Sequence, residues 1–305
     1  MQAPYSKDWN MLKKLRSLVS IAGAGIALLG AVAAHADTVN VMYAGSLVHM
    51  MEQRVGPAFE KETGITFQGY AGGSNKLANE IRGKLRRADV FISASPAVNA
   101  SLMGPANGNW VSWYAEFAES PLLIGYDPHS RFAQSLLTQR WDKALTQPGI
   151  RIGRTDPKLD PKGAFTIKLL ADAERVYNDP GLSARMLGDA DNPAQVMPEE
   201  TLVGRLQAGQ LDAGFFYTTE TTDLRIPAVR LPADFDIKAS YTITVVNGAP
   251  NDAGGRRFVA FLLSDAGRQL LRDSGITVKM PRVSGDAATV PADLQTALAR
   301  PVSPE

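Results

Sequence analysis

The sequence predicts an α/β protein built on parallel, doubly wound sheets, and three observations carry that reading. Short β-rich runs alternate with stretches of helical apolar spacing. The runs end in small residues directly before the helices. The apolar share of the chain, 45%, is ample for a core that needs no covalent staples. In sheets of this kind ligands sit at the carboxyl ends of strands, so the small-residue ends are also where function is expected.

The elements follow in order. Lys13, Lys14 and Arg16, an apolar run from Leu18 to Ala34, and the exit Ala34-His35-Ala36 have the three-part layout of a secretory signal peptide cut before Asp37. Residues 1–36 are assigned to it, and Met11 is a more economical start than the ten residues before it. Left uncut, such a run would anchor the chain in a bilayer, but Gly23, Gly25, Gly30 and the small-residue exit favour cleavage. In the mature chain, Thr38 to Tyr43 reads as a first strand ending at Ala44-Gly45-Ser46. Leu47, Val48, Met50, Met51, Val55 and Phe59 then recur at helical spacing. Ile65 to Tyr70 is a second strand, followed by Ala71-Gly72-Gly73-Ser74 and a helix carrying Leu77, Ile81 and Leu85 on one face. Ala88 to Ser93 is a third strand, and Pro96 opens another helix.

Ser120 to Tyr126 reads as a crossover strand into a second lobe. That lobe holds the strand Ile150 to Gly153, the helix after Pro161, a helix from about Pro198 to Ala208 and the strand Ala213 to Tyr217. The chain returns through Ile226 to Leu231, and Tyr241 to Val246 rejoins the first sheet. Helices near 256–263 and 266–273 complete lobe one, and a tail with Pro281, Pro291, Pro301 and Pro304 reads as irregular. Lobe one is thus 37–119 plus 228–305, and lobe two is 120–227.

Cleavage removes four cations and one acid, which takes the formal charge from +1 to −2. A nucleic-acid binder needs a basic surplus to neutralise phosphates, so no nucleic-acid partner is expected. Zero cysteines exclude disulfides, thiolate metal sites and a lipidated cysteine after the leader. The expectation is a freely soluble periplasmic monomer.

A helix amino terminus offers unsatisfied N–H groups and partial positive charge, so it holds an anion without Lys or Arg. Ala44-Gly45-Ser46 and Gly72-Gly73-Ser74 both let a ligand approach the backbone, and each serine adds a hydroxyl. Either serine would also suit an N-cap, but two at one sheet edge point to a ligand. In lobe two, Asp156-Pro157-Lys158-Leu159-Asp160-Pro161-Lys162-Gly163 is a tight turn entering a helix. Free N–H groups at Lys162 and Gly163 would suit an oxyanion; Asp160 would repel one unless protonated or in contact with a central metal atom, and it equally suits the helix cap. Tyr217, at the end of the strand from Ala213, would donate its phenolic O–H to a bound oxygen or serve as a half-buried aromatic.

Tyr43-Ala44-Gly45-Ser46-Leu47, Ala71 to Ser74, Ala88 to Ala94, Thr155 to Gly163 and Gly209 to Tyr217, in this order and spacing, resemble the molybdate and tungstate binding proteins of ABC importers over essentially the whole mature chain. The resemblance implies a two-lobed periplasmic-binding-protein fold of type II, each lobe a mostly parallel sheet flanked by helices. A hinge would close the lobes on a small dehydrated oxyanion held by neutral donors, for delivery to a membrane permease. Ser46 and Ser74 match the serines of lobe one, Tyr217 the tyrosine of lobe two, and Lys162 a backbone N–H donor. Asp160 matches an aspartate of the archaeal-type branch, and Phe216 stands where that branch has a glutamate. No cofactor, resident metal or catalytic residue is expected.

Rival ligands are sulfate, phosphate, a metal chelate or an organic acid, since fold analogy does not fix a ligand. A secreted hydrolase would need a nucleophile and a base, yet no Gly-x-Ser-x-Gly elbow surrounds either serine, and only His49 and His129 remain after the leader. A regulator's sensing domain lacks support because of the leader and the missing DNA-binding segment.

Overall fold

The computed structural model describes residues 37–302, and the expected leader, residues 1–36, lies outside them. Lobe one is built from β1 (Thr38–Ala44), β2 (Thr66–Gly72) and β3 (Val90–Ser93), with β1 parallel to both neighbours. β4 (Trp113–Tyr126) is much longer than the apolar run that announces it. β5 (Ile152–Gly153), β6 (Ala213–Tyr217) and β7 (Ala228–Arg230) belong to the second lobe's part of the sheet, and β8 (Lys238–Val245) and β9 (Thr277–Gly285) to the first. Among the described residues the strand order is β2-β1-β3-β8-β4-β6-β5, with β7 and β9 also on β4.

β4 joins the lobes. Its first part, through Pro121, pairs with β8, while Leu122 to Tyr126 pairs with β6. β8 runs antiparallel to both β3 and β4, because the chain must travel out and back between the lobes along these two strands. The parallel pairing predicted from the strand–helix alternation is therefore found at β2-β1-β3 and at β5-β6, away from the crossover.

Three local expectations are corrected. The tail is not irregular: β9 pairs with β4, and Pro281 falls in the stretch where their register shifts, a place where a missing N–H is tolerated. A helix, Ala292–Ala299, follows Pro291. The helix after Ser46 is not regular: a 3₁₀ turn at Gly45–Leu47 leads through Val48–Met50 into a π-helical stretch, Met51–Val55, before Gly56–Thr63. Pro57 has no N–H to continue the α ladder, and Gly56 instead donates to the Met51 carbonyl. Finally, Leu85 is not on a buried face, because the helix α1 (Ser74–Arg82) ends before it.

One large apolar cluster runs from Val39 and Phe59 through Trp113 to Phe215 and Tyr241. Phe59 meets Phe258 and Phe261 edge-on at 5.2 and 5.7 Å. No helix among the described residues is long and apolar enough to cross a membrane.

Candidate functional site

Three further helices shape the seam between the lobes: α2 (Pro161–Val176), α3 (Glu199–Gln207) and α4 (Thr218–Asp223). On the lobe-one side, neither serine caps a helix. Ala44 and Gly73 occupy the cap positions and offer no side-chain bond. The Ser46 hydroxyl pairs with that of Tyr241 at 2.9 Å, and Tyr241 also meets the Thr219 side chain. The Ser74 hydroxyl accepts the Ala94 N–H at 3.1 Å, so its own proton is left for another acceptor.

Lobe two comes close to both glycines before these serines and leaves no room for a side chain at Gly73. A Cβ on Gly45 would lie 3.2 Å from Cβ and Cγ of Glu199, and one on Gly73 only 2.4 Å from the Leu159 carbonyl oxygen. The Lys76 N–H donates to that same carbonyl at 3.1 Å, and the Asn75 amide to the Lys158 carbonyl at 3.2 Å. Gly163 is equally forced, since its Cβ would meet the Thr155 carbonyl oxygen at 2.5 Å where α2 enters.

Lobe two brings charge. Asp160 caps α2 by accepting the Lys162 N–H at 2.9 Å, with Pro161 at the first helical position. The Lys162 N–H is thus not free for an anion, a correction to the sequence reading. Its side chain is the feature that reading lacked. Lys162 is 1% exposed, and its ammonium donates to Glu199 Oε1 at 2.5 Å and to Glu220 Oε1 and Oε2 at 2.8 and 3.0 Å. The ring centroids of Phe216 and Tyr217 lie 5.4 and 5.5 Å from the same nitrogen. Glu220 also accepts the Tyr217 N–H at 2.8 Å, which ties the end of β6 to α4.

Burial and charge set the titration of these groups. Burial would lower the Lys162 ammonium, but the charges of Glu199 and Glu220 outweigh it and hold the group above its ordinary range. Burial, then the charge of Glu220, raises the Glu199 carboxyl well above normal, with Lys162 pulling the other way. Asp160 is pushed up to about 6 by burial and then by the charge of Glu199. Tyr217 is raised by burial and then by the charge of Asp160. Tyr217 Oη and Glu199 Oε2, both in this wall, are buried with no hydrogen-bond partner.

The seam therefore brings together all five residues singled out in the sequence, Ser46, Ser74, Asp160, Lys162 and Tyr217, through the contacts of Gly45, Gly73 and Tyr241. Phe216 belongs to an apolar cluster with Met197, Leu202, Leu206, Leu211 and Ile226, and it meets the site only where its ring lies against the Lys162 ammonium. A glutamate is nevertheless present, supplied by Glu199 at the first turn of α3. Sequence reasoning missed Glu199, Glu220 and Tyr241. Glu199 and Glu220 sit in helix first turns, where acids ordinarily serve the helix dipole, and nothing local signals Tyr241. His49 makes no catalytic pair with Ser46; its Nδ1 faces Asp223 at 3.9 Å.

Two α/β lobes joined by a shared strand, with a polar seam between them, have the type II periplasmic-binding-protein fold. Residues 39–277 match the family of bacterial extracellular solute-binding proteins, and the chain belongs to it. A putative ABC transporter molybdenum-binding protein of Haloferax volcanii is 29% identical over 82% of this chain and 86% of its own length. A molybdate/tungstate-binding protein of Pyrococcus abyssi is 26% identical, covering 77% of this chain and 82% of its own. The solved periplasmic molybdate-binding protein of Azotobacter vinelandii superposes with a TM-score of 0.62 at 18% identity, over 80% of this chain and all 100% of that one. At that identity the likeness carries the fold.

Proposed function

We propose that this protein is the periplasmic capture component of an ABC importer and that it binds molybdate or tungstate between its lobes for delivery to a membrane permease. The observation that carries the reading is the Tyr217 phenol, buried at the seam with no partner, in a protein whose relatives bear molybdate and tungstate names. Unpaired buried polar atoms are costly, and a ligand oxygen would relieve this one. The spare proton of Ser74 and the hydroxyl of Ser46 are further donors, and hydrogen bonds to a charged oxygen are the strong kind. Asp160 and Glu199 are held toward neutrality by burial, which lessens their repulsion of a dianion.

In this reading the lobes part and close about β4 and the return to β8. Lobe two is expected at 120–227 and lobe one at 37–119 plus 228–305; the pairing of β7 with Leu123 to Gly125 supports carrying lobe two on through β7. The protein works as a monomer, performs no turnover and binds no nucleic acid. One alternative has a specific observation behind it. Three buried carboxyl groups face one ammonium, which suits a solute that brings its own proton or cationic end, such as an organic acid or a metal chelate.

Calorimetry with molybdate, tungstate, sulfate, phosphate and several organic acids tests the proposal. Molybdate or tungstate binds tightest, and Ser46→Ala and Ser74→Ala each weaken it about tenfold, the loss of one charge-assisted hydrogen bond. Binding of an organic solute alone sinks the oxyanion assignment and leaves the class standing. Tight oxyanion binding untouched by either serine moves the site elsewhere.

A further inference from the structure

At the end of α1 away from Ser74 the chain runs Arg82-Gly83-Lys84-Leu85-Arg86-Arg87 into β3. From Lys76 to Ala88 five cations accompany a single acid, Glu80, in a mature chain whose formal charge is −2. Glu80 faces Lys76 at 4.0 Å and Arg86 at 3.5 Å. The Arg82 guanidinium donates to neutral acceptors, Asn79 Oδ1 at 2.7 Å and Ser101 Oγ at 3.2 Å, which position it without cancelling its charge. Lys84 and Arg87 are exposed.

An apolar side chain projects from the middle of this cluster. Leu85 is 77% exposed, more than any other large apolar residue among those described. The helix end explains why. Lys84 N–H donates to Ile81 O at 3.0 Å and Leu85 N–H to Glu80 O at 2.9 Å, the paired closing turn that needs a left-handed residue. That residue is Lys84, at φ 56°, although a glycine stands directly before it. Glycine would take the conformation without strain. The strained position instead carries a cation, and the residue after it is a leucine left in solvent. The Arg86 guanidinium stacks 3.6 Å over the Tyr70 ring, and the Lys84 ammonium lies 5.8 Å from that of Trp110. Both aromatics are partly exposed.

An exposed leucine, flanking aromatics and a ring of cations match the chemistry of the interface of an anionic bilayer, where Trp, Tyr, Lys and Arg all settle. We propose that this face docks on an anionic membrane surface, with Leu85 entering the headgroup layer while Lys84, Arg86 and Arg87 meet lipid phosphates. One leucine contributes little, so charge carries the association and salt weakens it. The nine residues of α1 hold the face roughly 13 Å from Ser74, which leaves the ligand seam free. A chain without a cysteine for lipid attachment would in this way stay near the membrane that holds its permease. The docking does not depend on which solute is bound.

Co-sedimentation of the chain from Asp37 onward with vesicles of phosphatidylcholine, with and without phosphatidylglycerol, tests the proposal at low salt. The protein sediments with the anionic vesicles and not with the neutral ones, and added salt releases it. The double change Lys84→Glu with Arg87→Glu lowers association at least about tenfold, and Leu85→Ser lowers it less, both with unchanged circular dichroism and ligand affinity. Equal partition to both vesicle types, no association with the anionic ones at low salt, or undiminished binding by the charge-reversed variant overturns it.

Discussion

The two walls of the seam are built on opposite principles. Lobe one presents Gly45, Ser46, Gly73 and Ser74, small and neutral, with a hydroxyl proton left over at Ser74 and backbone close enough at Gly73 that a Cβ would collide. Lobe two presents Asp160, Lys162, Glu199 and Glu220, ionisable and almost wholly buried, most of whose bonds are to one another. A neutral wall can change without disturbing the fold, because each of its groups is held singly. A charged wall has to stay balanced before any ligand arrives. Substitutions in lobe one should therefore act on affinity, and those in lobe two on stability.

The strongest test of that contrast is Lys162→Met. It leaves Glu199 and Glu220 facing each other in the interior with no counter-charge, and breaking a buried ion pair from one side costs about 3–5 kcal/mol. Urea denaturation should show a loss of this size, against about 1 kcal/mol for Ser46→Ala, which removes one hydroxyl hydrogen bond. Adding Glu199→Gln and Glu220→Gln to Lys162→Met should restore a large part. Equal losses for Lys162→Met and Ser46→Ala would mean the two walls do not differ in this way.

Next in size is a pH effect at Asp160. Its folded value of about 6 lies above the ordinary 3.8, so the folded state holds this proton more tightly than the unfolded chain. Below 3.8 the group is protonated in both states; as pH rises through 6 its proton is lost and stability falls. The full cost at neutral pH is about 3 kcal/mol as an upper figure. Asp160→Asn keeps a capping oxygen for the Lys162 N–H and removes the charge. The variant should be more stable than the parent at pH 7 and match it near pH 4, as denaturation at the two pH values would reveal. A variant less stable at pH 7 would show that the charge on Asp160 is needed by Lys162.

What the sequence made legible follows the same division. Ser46 and Ser74 stand out because strand, small residues and helix are contiguous, and local spacing is what a sequence displays. Asp160 and Pro161 announce their cap for the same reason. The ammonium of Lys162 could not be read, because its partners Glu199 and Glu220 lie far along the chain and meet it only through tertiary packing. Phe216 illustrates the converse: it is adjacent to Tyr217, yet alternation along β6 turns it into the cluster of Met197 and Leu202, and it touches the site only at the Lys162 ammonium. Most strands and helices were visible as apolar periodicity. The π-helical stretch before Pro57 and the strand through Pro281 were not, since each depends on where one missing N–H falls within a finished ladder.

The smallest effect is the sharpest in sign. Tyr217 belongs to the lobe-two wall by position but resembles the serines in having a proton to give. Its Oη is buried without a partner, so in the ligand-free protein it costs desolvation and gains no bond. Tyr217→Phe should raise stability by about 1 kcal/mol while weakening the ligand about tenfold, because the hydroxyl is desolvated in one state and bonded in the other. Thermal denaturation without ligand and calorimetry with it would read the two changes separately. Opposite signs would place the phenol with the neutral donors. A fall in both would mean that Oη already serves the charged wall, and stability gained with affinity unchanged would remove Tyr217 from the site.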